Sequence, residues 1–492
     1  MFSRRDILKA ATGLGAAALL PKFAFARTPE APGVDVNDVQ SQLNLTRVNR
    51  VATPTSLDDI QAAIQSAQRE NRAVSVAGGR HAMGGQQFGA DTLLLDMTRF
   101  NRMVRFDKEK GLVEVEGGIE WPELIDGLRK AQPGQEYGWG IREKQSGVDR
   151  VTIGGSLAAN VHGRGLRHPP IVSDVESFVL VDAHGKAQTC SRRENPELFS
   201  LAIGGYGLFG IITHVTLRLA KRTKVQRVVD VIAVKDLIPR IDERMRDGFL
   251  FGDCQYATSL ESEPGVHPGI FACYRAVGPE TTIPANQKEL TAEDWAELYR
   301  LGRTQKKLGF ERYAEHYRST NGQVYWSDID QLAGTFDGYR RAVDVAHGTE
   351  MITELYVNRD NFLPLLAKCR EDFLKHNVDM TYGTIRFIEK DSETFLNWAR
   401  ESSVCIICNL HVAHSESGKA KAAEDFRRMI DRTIEHGGRY YLTYHRWATR
   451  KQVEKCYPQF VEFLRLKRKY DPNERFQSEW YRHYKTMFAD ML

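Results

Sequence analysis

One histidine sits among four glycines in Val76-Ala77-Gly78-Gly79-Arg80-His81-Ala82-Met83-Gly84-Gly85-Gln86. Glycine reaches positive φ and lets backbone N–H groups approach an anion closely. A turn of this kind, directly after the β-rich run 73–77, can cradle a pyrophosphate and hold the His81 imidazole beside the molecule that carries it. A tight turn with a surface histidine is the competing reading. A second run, Val151-Thr152-Ile153-Gly154-Gly155-Ser156-Leu157-Ala158-Ala159-Asn160-Val161-His162-Gly163, carries small residues along one side and ends on a His-Gly pair. A third cluster places Gly205, Gly207 and Gly210 in a G-x-G-x-x-G pattern. A dinucleotide fold needs a strand before that pattern and a helix after it. Here a helical stretch, 195–202, precedes it and an alternating apolar strand, 211–219, follows. The order is reversed, so a nicotinamide-binding fold is rejected.

The elements that must position these loops alternate between short strands and helices. Residues 56–70 read as a helix, with Ser56 as cap, Asp58 and Asp59 in the first turn and apolar residues at helical spacing. Strands are expected at 73–77, 93–96 and 111–116, and a helix at 121–131 with Pro122 in its first turn. Residues 175–182 and 186–190 flank Ala183-His184-Gly185 as a hairpin. After about residue 221 the chain becomes richer in aromatics and arginine, and from about 437 strand, turn and helix return. The pattern is that of an α+β protein.

Composition narrows the class. The 492 residues are 42% hydrophobic and 27% charged, with a net charge of +4, too small to argue for a nucleic-acid or anionic-membrane partner. The basic runs 221–224 and 465–469 read as solvated faces. Seven cysteines cannot all pair within the chain. Cys405 and Cys408 form a C-x-x-C inside an apolar strand with no second pair at zinc spacing, so buried thiols are expected, and no metal. His411 and His414 follow the same strand-like run, where i and i+3 face opposite ways. One is expected to point at the substrate and the other at solvent. At the N-terminus, Ser3-Arg4-Arg5-Asp6-Ile7-Leu8-Lys9, an apolar run from 10 to 20, and Ala24-Phe25-Ala26 resemble a twin-arginine export signal over residues 1–26. The expectation is a periplasmic or secreted protein whose mature chain starts near Arg27. Its partner is the twin-arginine export machinery, and it is not an integral membrane protein.

The two glycine loops, with Gly210-Ile211-Ile212 entering a strand and Tyr470-Asp471-Pro472-Asn473 with Phe476 near the end, resemble the FAD-linked oxidases of the vanillyl-alcohol-oxidase superfamily (FAD-binding PCMH-type). The outline is similar to the sugar-alcohol and aldonolactone oxidases. Ala82 replaces that family's usual serine. The resemblance covers about 45–220 well and 437–485 fairly. It implies a bipartite FAD-binding domain at 45–220, with a C-terminal segment, 430–492, returning to it. A substrate (cap) domain built on an antiparallel sheet fills 221–429, and FAD lies between the two. It also implies FAD bonded covalently to His81, a neutral imidazole being nucleophilic; noncovalent FAD with His81 nearby is the alternative. No cysteine occurs in 146–150, so one attachment point is expected. The cofactor-binding set carried over is Gly78, Gly79, Arg80, His81, Ala82, Gly84, Gly85, Gln86, Thr152, Gly154, Gly155, Ser156, Asn160, His162, Gly163, Gly210 and Ile212.

For catalysis the resemblance points to two places. Tyr382-Gly383-Thr384-Ile385-Arg386-Phe387 resembles the strand on which those oxidases carry Glu-x-Arg. Arg386 matches, but Thr384 stands where the glutamate would be, which puts a polyol substrate in doubt. Tyr444-His445-Arg446-Trp447 lies near a His-Trp-Gly-Lys run of the family, so Tyr444, His445 and Arg446 join Arg386 as catalytic candidates. The expected reaction is oxidation of a CH–OH group of a small polar substrate (sugar, polyol or lactone type). A hydride passes to flavin N5, and oxygen or a periplasmic electron carrier reoxidises the flavin. Two rival readings are an FAD enzyme acting on a C–N or C=C bond and a non-catalytic exported protein that binds a phosphate ligand.

Overall fold

The helix Leu57–Arg69 begins as its sequence dictates. Ser56 accepts the Asp59 N–H, and Asp59 reaches back to the Ser56 backbone, closing a capping box. Ile60, Ile64 and Ala67 are buried along one face. This helix connects strands Arg50–Ala52 and Val74–Ala77, which flank Leu93–Asp96 in a parallel three-stranded sheet. In this computed structural model, residues 33–261 and 265–492 are described and form one compact unit. The export-signal reading over residues 1–26 lies outside the described residues.

A second, antiparallel sheet has the order Ala187–Ser191, Val175–Val181, Ile211–Arg218, Leu112–Glu116, Met103–Asp107. Its first two strands are the expected hairpin, turning through Gly185 at φ +83. Ile211–Arg218 alternates strictly between buried and half-buried positions, as a strand covered on one face must. The helix Trp121–Lys130 carries Pro122 in its first turn. The second glycine run forms a short helix, Ile153–Ala159, capped by Thr152 and closed by Asn160 in the left-handed region. The G-x-G-x-x-G pattern lies between helix Pro196–Ala202 and strand Ile211–Arg218, in the reversed order read from the sequence.

The third sheet has eight antiparallel strands in the order Val324–Trp326, Lys224–Ala233, Pro268–Val277, Phe249–Tyr256, Met380–Ile388, Ser403–Ala413, Gly348–Val357, Arg439–Tyr440. Helices Phe362–His376 and Glu416–Glu435 pack on its outer side. Registers line up residues from strands far apart in sequence. Thr384 and Glu354 both pair with Ile407, and Gln255 pairs with Thr384, so these four form one row across the sheet. Arg386, Cys405 and Tyr356 form the next row on the same face.

The chain's end returns to its beginning. Phe476 bridges to Val74 in parallel, the Val74 N–H donates to Arg475 O at 2.6 Å, and the Gln477 N–H donates to Val74 O at 2.9 Å. The Asp471 carboxylate fixes this approach by accepting the Arg475 and Phe476 N–H groups, both at 2.8 Å, and a bond from buried Lys467. Among the described residues no helix is long and apolar enough to cross a membrane.

Candidate active site

Strand Val74–Ala77 ends at Gly78, where the first glycine loop meets the second. A Cβ on Gly78 would lie 2.1 Å from Thr152 Oγ1, and one on Gly79 would lie 2.3 Å from Arg150 O. Only glycine allows this approach. Arg80 follows in the left-handed region at φ +59, and its guanidinium is held by Asp96 at 2.7 Å. The backbone N–H groups of Gly79, Arg80, His81 and Ala82 make no hydrogen bond within the described residues. The loop therefore offers a row of free donors to an anion.

These donors line a cavity of about 1000 Å³. The two glycine loops, Gly207, Gly210 and Ile212 form part of its wall. The eight-stranded sheet and the rings of Trp295, Tyr299, Tyr313, Tyr317 and Tyr325 form another part. His81 stands on the glycine-loop wall, with its ring 5.4 Å from that of Phe336. Burial lowers its pKa to about 4, against a hydrogen bond to the Arg150 backbone and the nearby Asp149 charge. The imidazole is thus neutral at ordinary pH, and its Nδ1 is buried without a hydrogen-bond partner. Gln145 Oε1 and Ser146 Oγ, also on the wall, are buried and unpartnered.

Of the residues carried over from the sequence, Gly78, Gly79, Arg80, His81, Ala82, Gln86, Thr152, Gly154, Gly155, His162, Gly210 and Ile212 line this cavity. The others stand behind it. Gly84 and Gly85 carry the chain away from the loop, the latter at φ +76 against Arg446. Ser156 is fully buried and accepts the Trp121 indole N–H at 3.1 Å. Asn160 donates to Asp391 at 2.9 Å. Gly163 packs on the Lys144 carbonyl. These five shape the wall from the second layer.

The catalytic candidates also separate. Arg386 and Tyr444 line the cavity. Arg386 is 9% exposed, and its Nε has no partner among the described residues. A buried polar group left unpaired costs about 1–3 kcal/mol, more when charged, so this guanidinium keeps an unused donor at the cavity wall. His445 does not reach the cavity. It is 1% exposed and packed among the rings of Phe426, Tyr440 and Trp447, with burial lowering its pKa to about 3. Arg446 lies beside Gly85, behind the first loop. His411 and His414 are off the wall as well, the latter bonded to Thr349 Oγ1 at 2.8 Å. All seven cysteines are buried and free.

One residue on the wall escaped the sequence reading. Glu354 is buried on strand Gly348–Val357, next to the edge of the eight-stranded sheet, and its carboxylate meets His162 Nε2 at 2.8 Å, the Tyr356 hydroxyl at 2.5 Å and the Tyr444 hydroxyl at 2.6 Å. Burial alone would raise its pKa, but His162 and the two tyrosines outweigh that and hold it at about 2. A carboxylate inside an apolar strand was the available signal. His162, Glu354 and Cys405 offer ligand atoms within 4.8 Å of one another. The direct His162–Glu354 bond leaves no room for an ion, since ligands each about 2 Å from zinc in a tetrahedron sit more than about 3 Å apart.

Comparison with known proteins decides what the glycine loops belong to. Residues 48–191 match the FAD binding domain family. The chain carries an FAD-binding domain. Residues 346–484 match the D-arabinono-1,4-lactone oxidase family, and residues 1–21 match the twin-arginine translocation pathway signal sequence. The resemblance to an FAD-linked oxidase of aldonolactone outline, with an α+β fold and a PCMH-type FAD-binding domain, is therefore met. Similar proteins include L-gulonolactone oxidase of Bos taurus, 27% identical over 198 residues, 40% of this chain and 43% of that protein. L-galactono-1,4-lactone dehydrogenase of Brassica oleracea is 29% identical over 208 residues, 41% and 32% of the two chains. Cytokinin dehydrogenase 2 of Arabidopsis thaliana is 32% identical over 183 residues, 36% and 34%. The matched stretch spans less than half the length of each of these relatives. The FAD-binding domain supplies the first glycine loop, the helix Ile153–Ala159 and the hairpin, and the matched C-terminal stretch supplies Glu354, Arg386 and Tyr444.

Proposed function

We propose that this chain is an FAD-dependent oxidoreductase that holds its flavin covalently through His81 and oxidises a CH–OH group of an aldonolactone-type substrate. The observation that carries the reading is that one cavity is lined both by the free N–H groups and unbonded His81 Nδ1 and by buried, unpartnered Arg386. FAD, when bound, supplies the hydride acceptor. The Gly79–Ala82 donors would hold its diphosphate, and Thr152, Gly154 and Gly155 line the same cavity. Neutral His81 presents a lone pair for the single attachment, with no cysteine nearby for a second. Arg386 orients a substrate oxygen and stabilises negative charge on it. The lactone class is supported by the matched C-terminal stretch and by the names of two of the three relatives. The flavin half comprises 45–220 with the end of the chain, and 221–429 builds most of the substrate half. The boundary expected at 430 falls inside helix Glu416–Glu435, and strand Arg439–Tyr440 still belongs to the eight-stranded sheet, so the return begins after Tyr440. The chain leaves the cytoplasm folded, with FAD in place, and starts near Arg27 once mature. Oxygen or a periplasmic electron carrier takes the electrons.

The test is colour and turnover. The purified protein should be yellow and keep its colour in an acid precipitate, whereas His81→Ala should release the colour to the supernatant. Colour that washes out of the wild-type precipitate refutes the covalent bond. A protein colourless even after expression with ample riboflavin refutes the cofactor. L-gulono-, L-galactono- and D-arabinono-1,4-lactone should bleach the flavin under nitrogen. Bleaching by amines alone would refute the CH–OH donor.

A further inference from the structure

We propose that Glu354 is the proton acceptor of this site, working through Tyr444, whose hydroxyl oxygen receives the hydrogen bond of the substrate's reacting hydroxyl. The inference rests on the proposed function for the hydride acceptor and for the CH–OH donor.

On the strand that carries Arg386, the position two residues earlier is Thr384, whose hydroxyl is buried with no partner. No carboxylate stands there. Thr384 and Glu354 nonetheless pair with the same residue, Ile407, and so share a face two strands apart, ~10 Å at the usual strand spacing. Both line the cavity with Arg386. The sheet thus sets a guanidinium and a carboxylate on one wall, with the carboxylate drawn from a different strand.

Glu354 does not meet the cavity alone. Its Oε2 is occupied by His162 and Tyr356, while its Oε1 takes the Tyr444 hydroxyl. An ionised carboxylate can only accept, so Tyr444 must donate. That fixes the Tyr444 proton toward Glu354 and leaves the oxygen's lone pairs free. Tyr444 is half-buried and on the wall, so those lone pairs can accept a substrate O–H. As the C–H electron pair leaves with its hydrogen for the flavin, the substrate oxygen becomes that of a protonated carbonyl, a strong acid. Its O–H bond breaks toward Tyr444 Oη while the Tyr444 O–H bond breaks toward Glu354 Oε1. The products are the carbonyl compound, reduced flavin, unchanged Tyr444 and a neutral carboxyl on Glu354, which then releases its proton. A weakly basic carboxylate suffices because the donor is so acidic at that moment. Tyr444 is the group that touches substrate, and Glu354 is the positioning residue behind it.

Two measurements on the flavin-loaded enzyme test this. In the first, proton NMR without substrate should show low-field hydroxyl resonances from the tyrosine–carboxylate bonds. Tyr444→Phe should remove one, Tyr356→Phe the other, and Glu354→Gln both. A wild-type spectrum without them, or one unchanged in Tyr444→Phe, overturns the proposal whatever the protein oxidises. In the second, L-gulono-1,4-lactone is mixed with the enzyme under nitrogen and flavin bleaching is timed. Glu354→Gln and Tyr444→Phe should each slow the limiting rate ~100-fold, the usual lower range for a lost proton acceptor, with the lactone concentration for half-saturation changed less than about threefold. The double variant should be no slower than the slower single one, and Glu354→Asp should recover part of the rate. A weakened half-saturation with an intact limiting rate, or additive losses, overturns the relay. A wild-type enzyme that this lactone does not bleach counts against the lactone reading instead, and the first measurement then decides the proposal.

Discussion

Glu143 shows how far burial moves a carboxyl in this protein. It accepts the Gly165 N–H at 2.5 Å with His168 close by, and burial raises its pKa to about 8 from an ordinary 4.5. His168 is pushed the other way by burial, to about 4. Between these values the pair is an uncharged acid beside an uncharged imidazole. Because the folded pKa of Glu143 is the higher one, its contribution to stability is complete below about 4.5 and is lost as pH rises through about 8. The slope is at most about 1.4 kcal/mol per pH unit. Glu143→Gln cannot ionise, so urea unfolding across that range should lose this share of the pH dependence. Identical slopes in the two proteins would show that Glu143 is ionised in the fold. Glu354 contrasts with it: equally buried, it is held at about 2 because donors surround it. Glu354 can therefore take a proton at working pH, and Glu143 cannot.

At the scale of elements, two glycines separate two uses of that residue. Gly127 lies in helix Trp121–Lys130, where a Cβ would meet Met103 Sδ at an ordinary 3.6 Å. Gly127→Ala should leave flavin content unchanged and stabilise by about 0.5–1 kcal/mol. Gly78→Ala would drive a methyl into Thr152 and part the two loops. It should cut the flavin-to-protein absorbance ratio several-fold. A fully loaded Gly78→Ala enzyme would mean that the loops need not touch to hold FAD. The local elements were legible in the sequence because their signals are local. Ser56 and Asp59 announce a helix start, Gly185 a hairpin, and the strand after Gly210 argues against a nicotinamide fold. The site's far wall was not legible, since its register joins Gln255, Thr384, Ile407 and Glu354 from four distant strands. Tyr444, His445 and Arg446 show the same limit at short range. They are consecutive residues in an irregular turn, so their side chains diverge. One faces the cavity, the next the ring cluster around Phe426, and the third Gly85.

For the whole molecule, the decisive question is whether export to an oxidising compartment changes the covalent structure. A protein crossing the membrane by the twin-arginine route arrives folded, so its thiols meet the outside environment already buried. All seven cysteines are free and buried. Burial pushes the thiols of Cys190 and Cys408 up to about 12 and that of Cys456 to about 11. Thiolate, the reactive form, is therefore scarce at every site. Cys405 and Cys408 lie three apart on one strand and so point to opposite faces, with Cys405 against Glu354 and Cys408 against the Tyr256 hydroxyl. They cannot close on each other while the strand Ser403–Ala413 is intact. Exported, folded protein should consequently react with no thiol reagent over the time in which the urea-unfolded protein reacts at all seven positions. Its melting temperature should not change with added reductant. Mass spectrometry after alkylation counts both states directly. Fewer than seven alkylated cysteines in the unfolded sample would mean that a disulfide had formed before or during export. The fold would then owe part of its stability to a cross-link rather than to the packing of its three larger sheets.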